Sequence, residues 1–146
     1  MEIRSQGDPV NGFGAVFQAF SAEAFRGRRV RFAGYARTTG VERRAFFWLR
    51  IDNQTDSVGF DNMEDRPLVG TLDWRRYELV LDVSESATRI NVGAALTGAG
   101  SICIDDLEFS IVDWTVATTG IRLAPFAQPP LPLDAPRAPR NLGVEL

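Results

Sequence analysis

The run Phe46-Phe47-Trp48-Leu49-Arg50-Ile51-Asp52 decides how this chain is read. With a period of two, Phe47, Leu49 and Ile51 fall on one face and Phe46, Trp48, Arg50 and Asp52 on the other. The first face is core. The second sets two aromatics beside a guanidinium and a carboxylate, which suits the wall of a binding cup. Trp48, Arg50 and Asp52 are therefore expected to project together into an open hollow. Arg50 and Asp52 are also i, i+2 neighbours, and an internal ion pair within a second buried face is the other arrangement open to them.

Similar runs recur along the chain. Arg28–Arg37 alternates, with Val30, Phe32, Gly34 and Ala36 opposite Arg29, Arg31, Tyr35 and Arg37. Shorter or matching runs cover Gly14–Phe20, Val58–Phe60, Tyr77–Val83, Ile90–Leu96 and Ile102–Val112. Gly, Asn, Asp and Pro lie between them, with breaks at Thr38-Thr39-Gly40 and Asn53-Gln54-Thr55-Asp56. This spacing predicts an all-β sandwich of two antiparallel sheets over residues 1–113. Helix is confined to one turn near Ala22–Phe25. Six of the 8 prolines lie beyond residue 124, so 114–146 is expected to be an extended tail packed along the body, or else disordered. Asn141–Leu146 has the pattern to add a strand to a sheet edge, in cis or in a second copy.

Composition removes several chemistries. The 146 residues suffice for one domain with a real core, and 45% hydrophobic against 24% charged content is that of a globular protein. There is no histidine and no lysine, since all 16 positive charges are arginines. Ser-His-Asp and Cys-His sites, His-based zinc sites, a P-loop lysine and a Schiff-base lysine are thereby excluded. Proton transfer would fall to Asp, Glu, Tyr or Cys103. A net charge of −3 offers no field for a phosphate backbone, so a nucleic-acid partner is not expected. No membrane span or secretory leader is apparent, and cytoplasm is the expected location. Cys103 has no partner for an internal disulfide and sits in an apolar run.

Three constellations carry candidate chemistry. If neighbouring strands share parity on one sheet, a cup collects Arg31, Tyr35, Arg37, Phe46, Trp48, Arg50, Asp52 and Asn91. Gly93 and Ala95 leave room above that sheet. Aromatic rings would cover a sugar or another ring, and Arg, Asp and Asn would bond its polar groups. The acidic loop Phe60-Asp61-Asn62-Met63-Glu64-Asp65-Arg66-Pro67 offers Asp61 as acid or base and Asn62 and Arg66 as orienting groups. The same loop also reads as a structural corner tied by Arg66, with Trp74 packed on it. In Ile104-Asp105-Asp106-Leu107, Asp105 shares the parity of Cys103, Leu107 and Phe109. A buried carboxylate there would need calcium or an arginine.

The order Gly12-Phe13-Gly14, Gln18, Phe25-Arg26-Gly27-Arg28-Arg29-Val30-Arg31, Trp48-Leu49-Arg50-Ile51-Asp52, Phe60 to Pro67, Gly70 to Tyr77, Ile104-Asp105-Asp106, Thr118-Thr119 and Pro139-Arg140-Asn141-Leu142 resembles a bacterial jelly-roll domain. That domain occurs alone or fused to AraC-type regulators. The resemblance implies a galactose-binding or carbohydrate-binding-module-like fold, a concave sheet that holds a small ligand, and at times a calcium on a terminal-strand aspartate such as Asp105. It also implies strands ahead of Ser5, in whose place stands Met1-Glu2-Ile3-Arg4. No helix-turn-helix accompanies the match, so DNA binding does not carry over. The leading expectation is a cofactor-free module for a small molecule or sugar. A cofactor-independent cyclase, isomerase or dehydratase is the alternative, with Asp52 or Asp61 as acid/base and Tyr35 and Arg50 stabilising negative charge. A module self-associating through a sheet edge or the tail, as a homodimer, is the third.

Overall fold

A computed structural model describes residues 1–7, 11–120 and 134–140. The strands are β1 (Glu2–Arg4), β2 (Phe13–Ser21), β3 (Arg29–Asp52), β4 (Ser57–Asp61), β5 (Leu68–Asp82), β6 (Arg89–Thr97) and β7 (Ser101–Val112), with one 3-10 turn at Glu23–Phe25. All seven belong to one antiparallel sheet in the order β1-β7-β3-β6-β2, with β4 and β5 on the other side of β3.

The two runs expected on either side of Thr38-Thr39-Gly40 are one strand of 24 residues. Its first leg lies between β5 and β7, its second between β4 and β6. Phe32 and Phe47 are fifteen positions apart, which in a straight strand is about 50 Å. Their rings meet edge to face with centroids 5.7 Å apart. The strand therefore bends back on itself, and the sheet is strongly curled into a half-barrel. The bend lies where the register against β5 slips three times between Ala36 and Ala45 and where Gly40 adopts φ +57°, a backbone region that favours glycine. A single curled sheet thus stands where two separate sheets were expected. Hydrogen bonding runs unbroken through β3 because its legs are continuous chain.

The bend also exchanges the buried parity. Val30, Phe32, Ala36 and Thr38 point inward on the first leg, and Val41, Ala45, Phe47, Leu49 and Ile51 on the second. They share one core with Ile90, Val92, Ala94 and Leu96 of β6 and Leu79 and Leu81 of β5. Phe20, Phe25 and Phe109 close one end edge to face, which gives the short turn at Glu23–Phe25 its anchor.

Two expectations are corrected here. Asp105 is exposed, not buried. A register shift between Ala33 and Tyr35 gives β7 an extra residue, with Asp106 at φ +50°. The bulge turns Asp105 outward, where its Oδ1 accepts from the Asp106 N–H at 2.9 Å, and lets Leu107 and Phe109 resume the inward course. The reason given for a calcium there is gone. Among the described residues, no group of three or more metal-ligating side chains gathers. Second, the strand expected over Tyr77–Val83 begins earlier, at Leu68, and its first part is largely exposed and so lacks an alternating pattern.

Of the expected tail, 114–120 is tied to the body. Arg29 Nη1 donates to the carbonyls of Trp114 (2.9 Å) and Val116 (2.6 Å), and Thr119 N–H donates to Val80 O (2.9 Å). Residues 134–140 meet the free edge of β2, where Ser21 N–H donates to Pro136 O at 2.6 Å. The stretches 121–133 and 141–146, including the expected terminal strand, lie outside the described residues.

Phe47→Ala is expected to cost about 3–5 kcal/mol in urea unfolding, because it removes the ring joining the two legs of β3. A loss under about 1 kcal/mol would mean that the legs do not share a core.

Candidate functional site

Strand register defines the face of β2, β6 and the second β3 leg that turns away from the core. Its rows are Phe13, Thr97 and Arg44; Ala15, Ala95 and Phe46; Phe17, Gly93 and Trp48; Ala19, Asn91 and Arg50; Ser21, Arg89 and Asp52. Ala15 and Ala95 in the second row and Gly93 in the third are small, so the rings of Phe46 and Trp48 can lie down over them. A Cβ at Gly93 would stand 2.6 Å from the Trp48 ring and 2.5 Å from Val16 O, so only glycine lets the indole cover this strand. Trp48 lies 6.2 Å from Phe17 and 6.4 Å from Phe46, and the Arg44 guanidinium sits 4.0 Å from the Phe46 ring centre. Phe13 and Phe17 are 69% and 60% exposed. The result is an aromatic series Phe17–Trp48–Phe46, the platform, on the side of the sheet turned from the core, with Phe13 and Phe17 exposed on β2.

The last two rows form a polar end. Arg50 Nε donates to both oxygens of Asp52, at 2.9 and 3.0 Å, and both side chains are buried. This corrects the open hollow: i, i+2 groups on one strand lie within arm's reach of each other, and they close as an ion pair, leaving the accessible surface to Trp48 and Phe17. Arg89 Nε donates to Asn91 Oδ1 at 3.0 Å. Burial draws the Arg89 pKa down, while Asp52 raises it and Arg50 lowers it. Asn91 is 2% exposed, and its Nδ2 has no hydrogen-bond partner. Ser57, opposite Asp52 on β4, is likewise buried with an unpartnered Oγ. A buried polar group left unmet costs about 1–3 kcal/mol.

Arg31, Tyr35 and Arg37 do not join this face. They stand on the first leg of β3, whose inward residues meet the inward residues of the second leg, so the two outer faces look in different directions. The assumption of one shared parity fails at the bend. Arg31 and Arg76 alternate with Glu78 and Glu108 at 2.9–3.7 Å, a surface network worth little per pair. Tyr35 is exposed, and Arg37 stacks on exposed Trp74 at 5.2 Å, which takes Trp74 away from the acidic loop.

That loop is a tied corner. Asp61 is buried and accepts from Arg66 Nη2 (2.6 Å), Arg66 Nη1 (3.2 Å), Thr119 Oγ1 (2.5 Å) and Met63 N–H (2.9 Å). Burial alone would raise its pKa. The bonds from Arg66, Thr119 and Met63 together outweigh burial and hold the carboxyl below its ordinary value. Asn62 gives its carbonyl to Arg44 Nη2 at 2.7 Å. Asp61, Asn62, Phe60, Glu64, Asp65 and Thr119 line a cleft of about 490 Å³. The structure thus separates the expected residues into three groups: the platform, with Asn91, Arg50 and Asp52; the outer face with Arg31, Tyr35 and Arg37; and the corner with Asp61, Asn62 and Arg66. Phe17, Arg44 and Arg89 were not anticipated. Phe17 alternates within Gly14–Phe20, but only the β2–β6 register places it beside Trp48.

No protein-family model matches the chain. It is 36% identical over 115 residues, 78% of its length, to a Bacillus subtilis (strain 168) protein described as the uncharacterized HTH-type transcriptional regulator YbfP. The chain spans 39% of that protein. It is therefore related to a part of a bacterial transcriptional regulator. Among the described residues no helix is long and apolar enough to cross a membrane.

Asp61→Asn should destabilise the domain by about 3 kcal/mol, the low end for breaking a buried pair because Arg66 keeps some access to water. Since folding lowers the Asp61 pKa, its stabilisation is complete above the unfolded carboxylate value of about 3.9 and is lost as pH falls through the folded value. Urea midpoints between pH 6 and 2 (roughly the range titrating carboxylates) should show a shallower acid limb in the variant. An unchanged limb would deny Asp61 this role.

Proposed function

We propose that the platform face binds a small molecule or a carbohydrate and that the domain is a ligand-sensing or accessory module. The carrying observation is the ring series Phe17–Trp48–Phe46, spaced 6.2 and 6.4 Å apart on the side of the sheet turned from the core. Rings of this kind offer flat apolar contact to a sugar or another cyclic ligand. Exposed Phe13 and Phe17 leave an apolar patch that a bound molecule would cover. The kinship with part of a transcriptional regulator supports sensing, since a regulator that answers to a metabolite needs a part that binds it. On this reading the two walls of the curled sheet are the layers of a jelly roll of the AraC-associated kind, working in the cytoplasm.

A panel of methyl glycosides, cyclic acids and cyclic alcohols, followed by tryptophan fluorescence and thermal melting, tests the reading. A ligand at a hundred times its Kd should stabilise the native state by about 2.7 kcal/mol. Trp48→Ala and Phe17→Ala should weaken binding at least about tenfold, a loss of about 1.4 kcal/mol, while both variants stay folded. Binding that survives both substitutions would remove the platform from the site.

A further inference from the structure

We propose that the free edge of β2 is a strand-docking site and that its occupant is residues 141–146 of this chain. Nothing in the inference depends on a ligand for the platform. It starts from which backbone groups of β2 face outward. At the two ends of the β2–β6 ladder, Gly12 O accepts from Gly98 N–H at 2.9 Å and Ala22 N–H donates to Thr88 O at 3.1 Å. Main-chain groups alternate in direction along an antiparallel strand. Even-numbered residues of β2 therefore face β6, while Phe13, Ala15, Phe17, Ala19 and Ser21 turn their N–H and C=O groups away. Ser21 N–H fits that sense, since it meets Pro136 O on the far side. Among the described residues, no strand pairs with β2 on this side, and no backbone hydrogen bond reaches Phe13, Ala15, Phe17 or Ala19 there. Such an edge is a template for one more strand.

The chain is already led along this edge. It meets Ser21 at Pro136 and Gln18 at Arg140, so it runs antiparallel to β2. The Gln18 side-chain amide holds Arg140 at two points: Nε2 donates to Arg140 O, and Oε1 accepts from Arg140 N–H at 2.9 Å. A glutamine amide carries the same donor and acceptor as a peptide group, so it takes the place of a ladder partner here. Both main-chain groups of Arg140 thus point at β2. In extended chain those of residues 142, 144 and 146 would do so again, opposite the outward groups of Phe17, Ala15 and Phe13. Residues directly opposite one another send their side chains to the same face. Leu142 would lie beside Phe17, Val144 beside Ala15 and Leu146 beside Phe13. The apolar members of Asn141-Leu142-Gly143-Val144-Glu145-Leu146 would then cover the two exposed phenylalanines of β2. The added strand stands on the side of β2 away from β6 and Trp48, as an outer rim to the platform.

Amide hydrogen exchange of the full chain, read residue by residue by NMR, tests this without any ligand. The Ala15 and Phe17 amides should exchange at least about tenfold more slowly than unprotected amides. Leu142→Pro removes the N–H that would meet Phe17 O, at a position outside the sheet core, and should abolish that protection while the amides paired to β6 keep theirs. Gln18→Ala, which releases Arg140, should weaken it. Unprotected Ala15 and Phe17 amides in the wild type overturn the proposal, as does protection that Leu142→Pro leaves unchanged. Protection that rises with protein concentration, together with a doubled mass in light scattering, gives the edge to a second copy and overturns it too.

Discussion

A strand of 24 residues can put both ends into one core only by bending, and that bend in β3 governs the rest of the molecule. It carries Phe47 back onto Phe32, gives the sheet its curl, and supplies neighbours for four other strands along a single stretch of backbone. Slipped register and the φ +57° of Gly40 let the chain turn without ending the strand. Since inward parity changes across the bend, each leg keeps its own outer face. One becomes an arginine–glutamate lattice; the other carries the aromatic platform.

The two outer faces solve different problems. On the first leg, opposite charges pair across strands at the surface, where water screens them and little stability is at stake. On the second, β6 is buried on both sides, so its polar residues must find partners without water. The Arg50–Asp52 pair and the Arg89–Asn91 bond answer most of that need. The Asn91 amide protons and the Ser57 hydroxyl are left over, beside rings that are themselves partly open.

The corner at Asp61 shows the same economy applied to a loop. One carboxylate gathers an arginine, a threonine from a distant segment and a backbone amide, and its low pKa is the sign that this gathering outweighs burial. The loop looks chemically active in sequence because it is rich in carboxylates. In three dimensions its most buried acid is the best satisfied one.

Much of the fold was legible residue by residue. Alternation placed β2, β6, the body of β7 and both legs of β3, and it assigned Phe47, Leu49 and Ile51 to the core, because alternation reports which way each side chain leaves its own strand. It also put Trp48, Arg50, Asp52 and Asn91 on faces turned from that core. What alternation lacks is any relation between strands. Whether Arg31 and Trp48 share a surface depends on a bend at Gly40, roughly ten residues of backbone from either. Whether Asp105 is buried depends on one bulged residue, and whether Phe17 meets Trp48 depends on the β2–β6 register. Local chemistry thus determined the strands, the core side of each and the residue types able to bind. Tertiary structure alone decided which of those residues stand together, because register, bulges and bends are set by what the whole sheet can bury at once.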